Sequence, residues 1–306
     1  EIGTGHVMRC LTLADELKKQ YSNILFICRD FDGHLKDLIN EKGYSVVLLP
    51  DFKFFFKDSN DFSGYYNWLS SLWQQDANET INIINNNNKL NWLIVDHYGI
   101  DYRWHNKLRD LTQRIMVIDD LADRKLDCDL LLDQTYGRKK QDYFELIPND
   151  CQMLLGAKYA LLRPEFALFR SRAIKKRKKS TSISNILITM GGMDINNVTS
   201  RVIKTLFSIK WYEKPSINVV LNGLAPHFDT VLKLAENPNL KVNIISNANN
   251  MAELMVKADL AIGASGSTSW ERCSLGLPTL AICLAENQKD ILRGLQKADA
   301  HLVIDN

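Results

Sequence analysis

At 306 residues and 45% hydrophobic content, the chain reads as an ordinary globular protein of two domains rather than one. A net charge of +2 argues for no nucleic-acid partner. No apolar run approaches the ~20 residues that span a bilayer, and no signal peptide is visible, so no membrane insertion is expected. The six cysteines, Cys10, Cys28, Cys128, Cys151, Cys273 and Cys283, form no C-x-x-C pair. They read as reduced thiols of a cytoplasmic protein without a zinc site.

The chain starts at Glu1, without an initiator Met, in what reads as the middle of a strand–turn–helix unit. It stops after Ile304 in what reads as a strand. Both ends read as cut from a longer protein. Residues 7–19 carry Val7, Met8, Leu11, Ala14 and Leu17 at helical spacing. A strand is expected at 24–28, a helix at 35–41 stopped by Gly43, and a strand at 45–49. Residues 51–64 read as an aromatic, charged loop. Helices are expected at 66–73, 79–84 and 104–111. Strands are expected at 92–95, 115–118 and 130–132, each followed by acidic residues: Asp96, Asp119 with Asp120, and Asp133. Strands alternating with helices specify a parallel, doubly wound sheet, which binds ligands at the carboxyl ends of its strands.

The basic run at 175–182 reads as a solvated linker rather than a nucleic-acid patch, because no aromatic residues interleave. It divides a first domain at 1–172 from a second at 183–306, with 173–182 as linker. The second domain has strands at 185–189, 217–221, 242–245, 259–262 and 279–283, and helices at 197–206, 251–257 and 289–296. Two such domains facing a cleft are the architecture of nucleotide-sugar enzymes.

Three stretches carry candidate chemistry. Ser265, Gly266, Ser267, Thr268 and Ser269 link a strand to a helix opening on Thr268-x-x-Glu271. Such a turn is either an ordinary tight connection or an anion site, where free N–H groups and the helix dipole hold a diphosphate. Glu271 is then either the acid of a capping box or an acceptor for a ribose diol. Arg272 lies beside the turn, its direction on the helix open. Gly191 and Gly192 form a second turn, and Asp194 after them is a turn residue or a polar group near phosphate. Gly3-x-Gly5-His6-x-x-Arg9 opens the first helix but lacks the third glycine of a dinucleotide fingerprint. There the helix dipole favours a neutral His6 that can act as a general base; the other readings are a capping or merely exposed histidine. Asp119, Asp120 and Asp123 resemble a metal cluster by count, but a solvated loop is the preferred reading. No metal or cofactor is expected.

The stretches GTGHVMRCLTLADELK, DHYGID at 96–101, LLGAKYALLRPEF at 154–166, ITMGGMD at 188–194 and residues 251–288 closely resemble one family. It is the UDP-2,4-diacetamido-2,4,6-trideoxy-β-L-altropyranose hydrolases of pseudaminic acid biosynthesis. The spore-coat polysaccharide proteins share many of these motifs, and the peptidoglycan N-acetylglucosaminyltransferase is a wider relative. The resemblance implies an α/β GT-B fold of two Rossmann-like doubly wound domains facing a cleft. It implies hydrolysis of a UDP-sugar at the anomeric carbon with inversion, releasing UDP and free sugar. His6 matches the catalytic histidine, with Gly5 and Arg9 of the same motif at the substrate. Asn287 matches a sugar-holding asparagine, and Tyr98 is a second candidate for that task. UDP falls to Gly191, Gly192, Ser265, Gly266, Ser267, Thr268 and Ser269, with Glu271 on ribose and the segment at Met251 on uracil. A monomer is expected. Two alternatives stay open. A GT-B glycosyltransferase would use Phe52, Phe54, Phe55 and Phe56 with Lys53 and Lys57 as an acceptor patch. A non-enzymatic sugar-nucleotide binder would have no need of a base at His6.

Overall fold

The computed structural model describes residues 4–20, 23–31, 33–51, 65–85, 89–246 and 248–304. Gly3 and the aromatic residues of the 52–57 stretch lie outside the described residues. The chain forms two compact α/β units, Glu1–Leu161 and Leu162–Asn306.

Unit 1 runs α1 (Thr4–Lys18), β1 (Leu25–Arg29), α2 (Lys36–Glu41), β2 (Ser45–Leu49), α3 (Tyr65–Ile84), β3 (Leu90–Val95), α4 (Tyr102–Leu108), β4 (Thr112–Ile118), β5 (Leu130–Asp133) and β6 (Gln152–Leu155). β1 and β2 pair in parallel, and β3, β4, β5 and β6 form a parallel sheet in that order. β4 shows why the sheet needs cover on both sides. Ile115 and Val117 enter one core with Trp104 and Leu131, while Met116 and Ile118 enter another with Cys10 and Leu13. A strand whose last four residues are all apolar and buried satisfies both faces only between two helical layers.

The sequence reads two helices where α3 is one. The polar stretch between them holds no helix breaker. Its Asp76 turns inward to accept from Trp104 Nε1 at 2.8 Å and Arg29 Nη2 at 2.6 Å. α4 starts two residues earlier than its apolar pattern because Asp101 accepts the Arg103 N–H at 2.9 Å, an N-cap. β6 is a strand the residue pattern does not reveal, since its four residues include a polar Gln152 and follow a turn.

Unit 2 runs α5 (Pro164–Lys179), β7 (Asn185–Thr189), α6 (Val198–Ser208), β8 (Ser216–Val220), α7 (Phe228–Ala235), β9 (Lys241–Ile245), α8 (Met251–Lys257), β10 (Leu260–Ala264), α9 (Thr268–Ser274), β11 (Thr279–Ile282), α10 (Lys289–Lys297) and β12 (Leu302–Ile304). Its parallel sheet has the order β12-β11-β10-β7-β8-β9. The winding direction reverses between β7 and β10, which are paired neighbours. That is the topological switch point of a doubly wound fold, where the carboxyl ends of the strands open a crevice.

The boundary differs from the reading at 173–182. α5 belongs to unit 2, and its Phe166 and Ala173 are buried against Met255 and Leu275. The basic run is not a solvated linker. Lys176 pairs with Asp259 at 2.7 Å, and Arg177 donates to the Met255 and Ala258 carbonyls at 2.6 Å each. These cations satisfy the open carbonyls at the C-terminus of α8, where the dipole favours positive charge. Among the described residues no helix is long and apolar enough to cross a membrane.

Candidate active site

In unit 1 the chemistry gathers where α1 begins beside the carboxyl ends of β3 and β4. His6 Nδ1 lies 2.5 Å from Asp96 Oδ1, just past β3. Arg9, one turn further along α1, grips the same carboxylate twice, Nε to Oδ2 and Nη2 to Oδ1, each at 2.6 Å. Its Nη1 donates to Asp120 Oδ2 at 2.9 Å, just past β4. Burial alone would raise the Asp96 carboxyl, but Arg9 and His6 together hold it well below the usual carboxylate range. Asp96 is therefore an acceptor only. Nδ1 must be the donor, and in the neutral imidazole Nε2 then carries the lone pair. Arg9 Nη2 also stands 3.2 Å from Nδ1, but with Nδ1 carrying the proton this is a close approach rather than a hydrogen bond. The Tyr98 ring meets the imidazole edge-on, centroids 4.6 Å apart, and fixes its plane.

The loop carrying Asp96 and Tyr98 is itself tied down. Arg124 donates to the carbonyls of His97 and Ile100 at 3.2 and 2.8 Å. His97 Nδ1 accepts the Gly99 N–H at 3.0 Å. Burial, with His6 beside it, pushes His97 down to about 3, so this second histidine is neutral. The acidic residues considered for a metal are engaged otherwise. Asp119 accepts from Arg124 at 2.8 Å and from the Tyr143 hydroxyl at 2.8 Å. Asp123 pairs with Arg124, and Asp120 with Arg9. Tyr143 is also 2.8 Å from Asp133, whose carboxyl burial raises.

In unit 2 the candidate residues lie along the carboxyl edge of one sheet. Gly191 and Gly192 follow β7, and the Gly192 carbonyl accepts the Asn222 N–H at 3.1 Å. Gly191 has φ +84°, which its lack of a Cβ permits. Asp194 is not an open polar group. Its carboxylate accepts the Val198 and Thr199 N–H groups at 2.9 and 2.8 Å and so fills the N-terminus of α6.

The turn after β10 keeps its donors more open. The Ser265 N–H goes to Ile282 and that of Ser269 to Gly266. Among the described residues the N–H groups of Gly266, Ser267 and Thr268 have no acceptor within the chain. The capping box does not form: Ser267 is the N-cap, without a side-chain cap bond. Glu271 accepts instead from Arg163 Nη2 at 3.1 Å, and burial lifts its carboxyl above the usual range despite that partner. A Cβ on Gly266 would stand 3.9 Å from Gln288 Nε2, which sets the 3₁₀ turn Glu286–Gln288 and its Asn287 beside this turn. Met251 opens α8 with its side chain buried in the core, so only its backbone is open to a ligand.

No protein-family profile matches the chain. Over 95% of its length it is 29% identical to an uncharacterized protein of Methanocaldococcus jannaschii, of which it spans 55%. Over 97% of its length it is 28% identical to the UDP-2,4-diacetamido-2,4,6-trideoxy-β-L-altropyranose hydrolase of Campylobacter jejuni, spanning 93% of that protein. It is 23% identical to the spore coat polysaccharide biosynthesis protein SpsG of Bacillus subtilis, covering 94% of this chain and 76% of that one. Among solved structures, MurG of Acinetobacter baumannii superposes with TM-score 0.66 at 13% identity, covering 99% of this chain and 84% of that one. The calicheamicin glycosyltransferase CalG4 gives 0.56 at 12% identity, covering 99% and 83%.

The fold is GT-B. The resemblance read from the motifs extends along nearly the whole chain. Within this GT-B chain, unit 1 gathers Gly5, His6, Arg9 and Tyr98, and unit 2 aligns Gly191, Gly192, Asn287 and the turn from Ser265 to Ser269 on one sheet edge. Residue spacing does not single out Asp96 and Asp120 as partners of Arg9. Asp96 lies 90 positions from His6, and only the parallel sheet brings its strand end to α1. The one available signal is an acid at the carboxyl ends of β3, β4 and β5.

Proposed function

We propose that the protein is a UDP-sugar hydrolase. The observation that carries the proposal is the His6–Asp96 pair, Nδ1 to Oδ1 at 2.5 Å, which leaves Nε2 as a base. Nε2 takes a proton from water as the water oxygen bonds to the anomeric carbon. The bond from that carbon to the UDP oxygen breaks, its electron pair leaves with UDP, and the configuration inverts. Asp96 stabilises the imidazolium that forms, as an orienting carboxylate does in general-base pairs. Arg9 keeps Asp96 ionised and in place. No covalent intermediate and no metal enter the scheme.

UDP is assigned to unit 2. The open N–H groups of Gly266, Ser267 and Thr268 lie next to the β7/β10 switch point and are suited to a diphosphate whose charge grows as the bond breaks. Glu271, free of any capping duty, accepts from the ribose hydroxyls. The Met251 backbone meets uracil, and Asn287 and Tyr98 contact the sugar. The similarity to the Campylobacter hydrolase supports a UDP-2,4-diacetamido-2,4,6-trideoxyhexose of β-L-altro configuration as the substrate. The test is UDP release from that compound by the purified protein with no acceptor present. Release that requires an added sugar or lipid acceptor makes the protein a glycosyltransferase.

A further inference from the structure

Arg272 is the largest fully buried side chain of unit 2, 1% exposed, on α9. Its guanidinium is surrounded by neutral acceptors. Nη2 donates to the Ala264 carbonyl at 2.6 Å and to Ser269 Oγ at 3.1 Å, and Nη1 donates to Thr189 Oγ1 at 3.4 Å. Nε has no partner. Among the described residues no carboxylate lies within 4.0 Å of it. The arginines around the unit 1 site differ: buried Arg9 and half-buried Arg124 each pair with two carboxylates. Burial pushes the Arg272 guanidinium down to about 10, so it is charged at neutral pH. Glu271, the preceding residue, acts on it only at longer range, and a buried cation with no carboxylate in contact is costly. The chain nevertheless shapes itself around this one. A Cβ on Gly263 would collide with Arg272 Nη1 and stand 2.7 Å from the Thr189 carbonyl oxygen.

The location gives that charge a use. Thr189 ends β7 and Ala264 ends β10, the two strands that flank the switch point. Arg272 spans both ends, and Ser269 closes the far side of the turn that begins at Ser265. The Ser265 hydroxyl is fully buried and has no partner either. A strut between strands needs donors but no net charge.

We infer that Arg272 is the buried counter-charge of the anion bound at the β7/β10 switch point, a positioning residue that fixes the turn from below and attracts a diphosphate without touching it. This rests on the assignment of UDP to unit 2. A cation several Å from a phosphate, at an effective dielectric of about 20, changes affinity on the order of ten- to a hundredfold.

The experiment titrates UDP, inorganic pyrophosphate and uridine into the wild type, Arg272→Gln and Arg272→Lys by calorimetry. Gln keeps a donor for the Ala264 carbonyl and removes the charge. Arg272→Gln should lose at least tenfold in affinity for UDP and pyrophosphate and stay within about twofold for uridine. Arg272→Lys, which keeps the charge, should hold pyrophosphate within about threefold of wild type. A folded Arg272→Gln that binds UDP like the wild type overturns the inference, as does equal loss for UDP and uridine. If Arg272→Gln does not fold, the lysine variant decides: a folded Arg272→Lys that has lost pyrophosphate binding overturns it. A wild type that binds pyrophosphate but not UDP refutes the nucleotide assignment and leaves the role of Arg272 standing. A wild type that binds neither overturns both.

Discussion

Asp96 holds His6 through Nδ1 at 2.5 Å while Arg9 grips the same carboxylate through two nitrogens. The pair defines which nitrogen is the base. Asp96→Asn keeps the size of the side chain but can present an N–H to Nδ1, which moves the imidazole proton to Nε2 and blocks it. Turnover should fall by roughly 10²- to 10⁴-fold. His6→Ala should lose most turnover as well. UDP affinity should stay near wild type in both. Initial rates of UDP release and calorimetric UDP titration check this, and near-normal turnover in His6→Ala would remove the base from the scheme.

Glu271 makes no cap bond in α9, so its loss should register in binding rather than stability. Glu271→Ala should weaken UDP on the order of tenfold, the worth of hydrogen bonds to a charged acceptor. Arg163 keeps Glu165 at 3.2 Å, so no cation is stranded. A drop in melting temperature with unchanged UDP affinity would contradict the ribose assignment.

The fold was largely legible because the buried parallel strands are continuous apolar runs, as at Ile115, Met116, Val117 and Ile118, and these cannot be mistaken for surface segments. The turns at Gly191 and at Ser265 stood out through small residues after such runs. What the residue pattern hid was pairing at long range. Nothing near Arg9 announces Asp96 or Asp120, and nothing near Lys176 and Arg177 announces the α8 carbonyls they satisfy. A basic run and an acidic cluster look solvated until the partner element is known. Thr268 and Glu271 had capping-box spacing, yet Arg163, 108 residues away, takes Glu271 instead.

The two glycines that directly flank Ala264 and Ser265 should behave oppositely. Gly263→Ala drives a Cβ into Arg272 Nη1 and to 2.7 Å from the Thr189 backbone carbonyl, so it should destabilise unit 2 by about 1–3 kcal/mol. Gly266→Ala meets nothing closer than 3.9 Å and should unfold like the wild type. Its methyl group, however, intrudes where a phosphate would approach the backbone, so UDP affinity should fall. Thermal unfolding and UDP titration of both variants separate the two effects.

Unit 1 should lose stability in mild acid. His105 is fully buried, its Nδ1 accepts the Asp127 N–H, and burial with Arg124 nearby pushes it down to about 3. The unfolded chain takes up its proton near pH 6.5 and the folded chain does not. Stability is therefore full above about pH 6.5 and falls as the pH drops toward 3. At pH 5 the loss from this one histidine is about 2 kcal/mol. His105→Asn keeps an acceptor for the Asp127 N–H and cannot titrate. Urea unfolding at pH 7.5 and 5 should show a smaller loss in the variant, and an identical loss would show that His105 is not the group responsible.

The central claim is that a water activated by His6 attacks the anomeric carbon. It is tested most directly by running the reaction in H₂¹⁸O, without acceptor, and weighing the UDP released. Attack at carbon predicts that UDP carries no ¹⁸O and that its release follows the wild-type protein but not His6→Ala. Label in the UDP phosphate would place the attack at phosphorus and contradict the account.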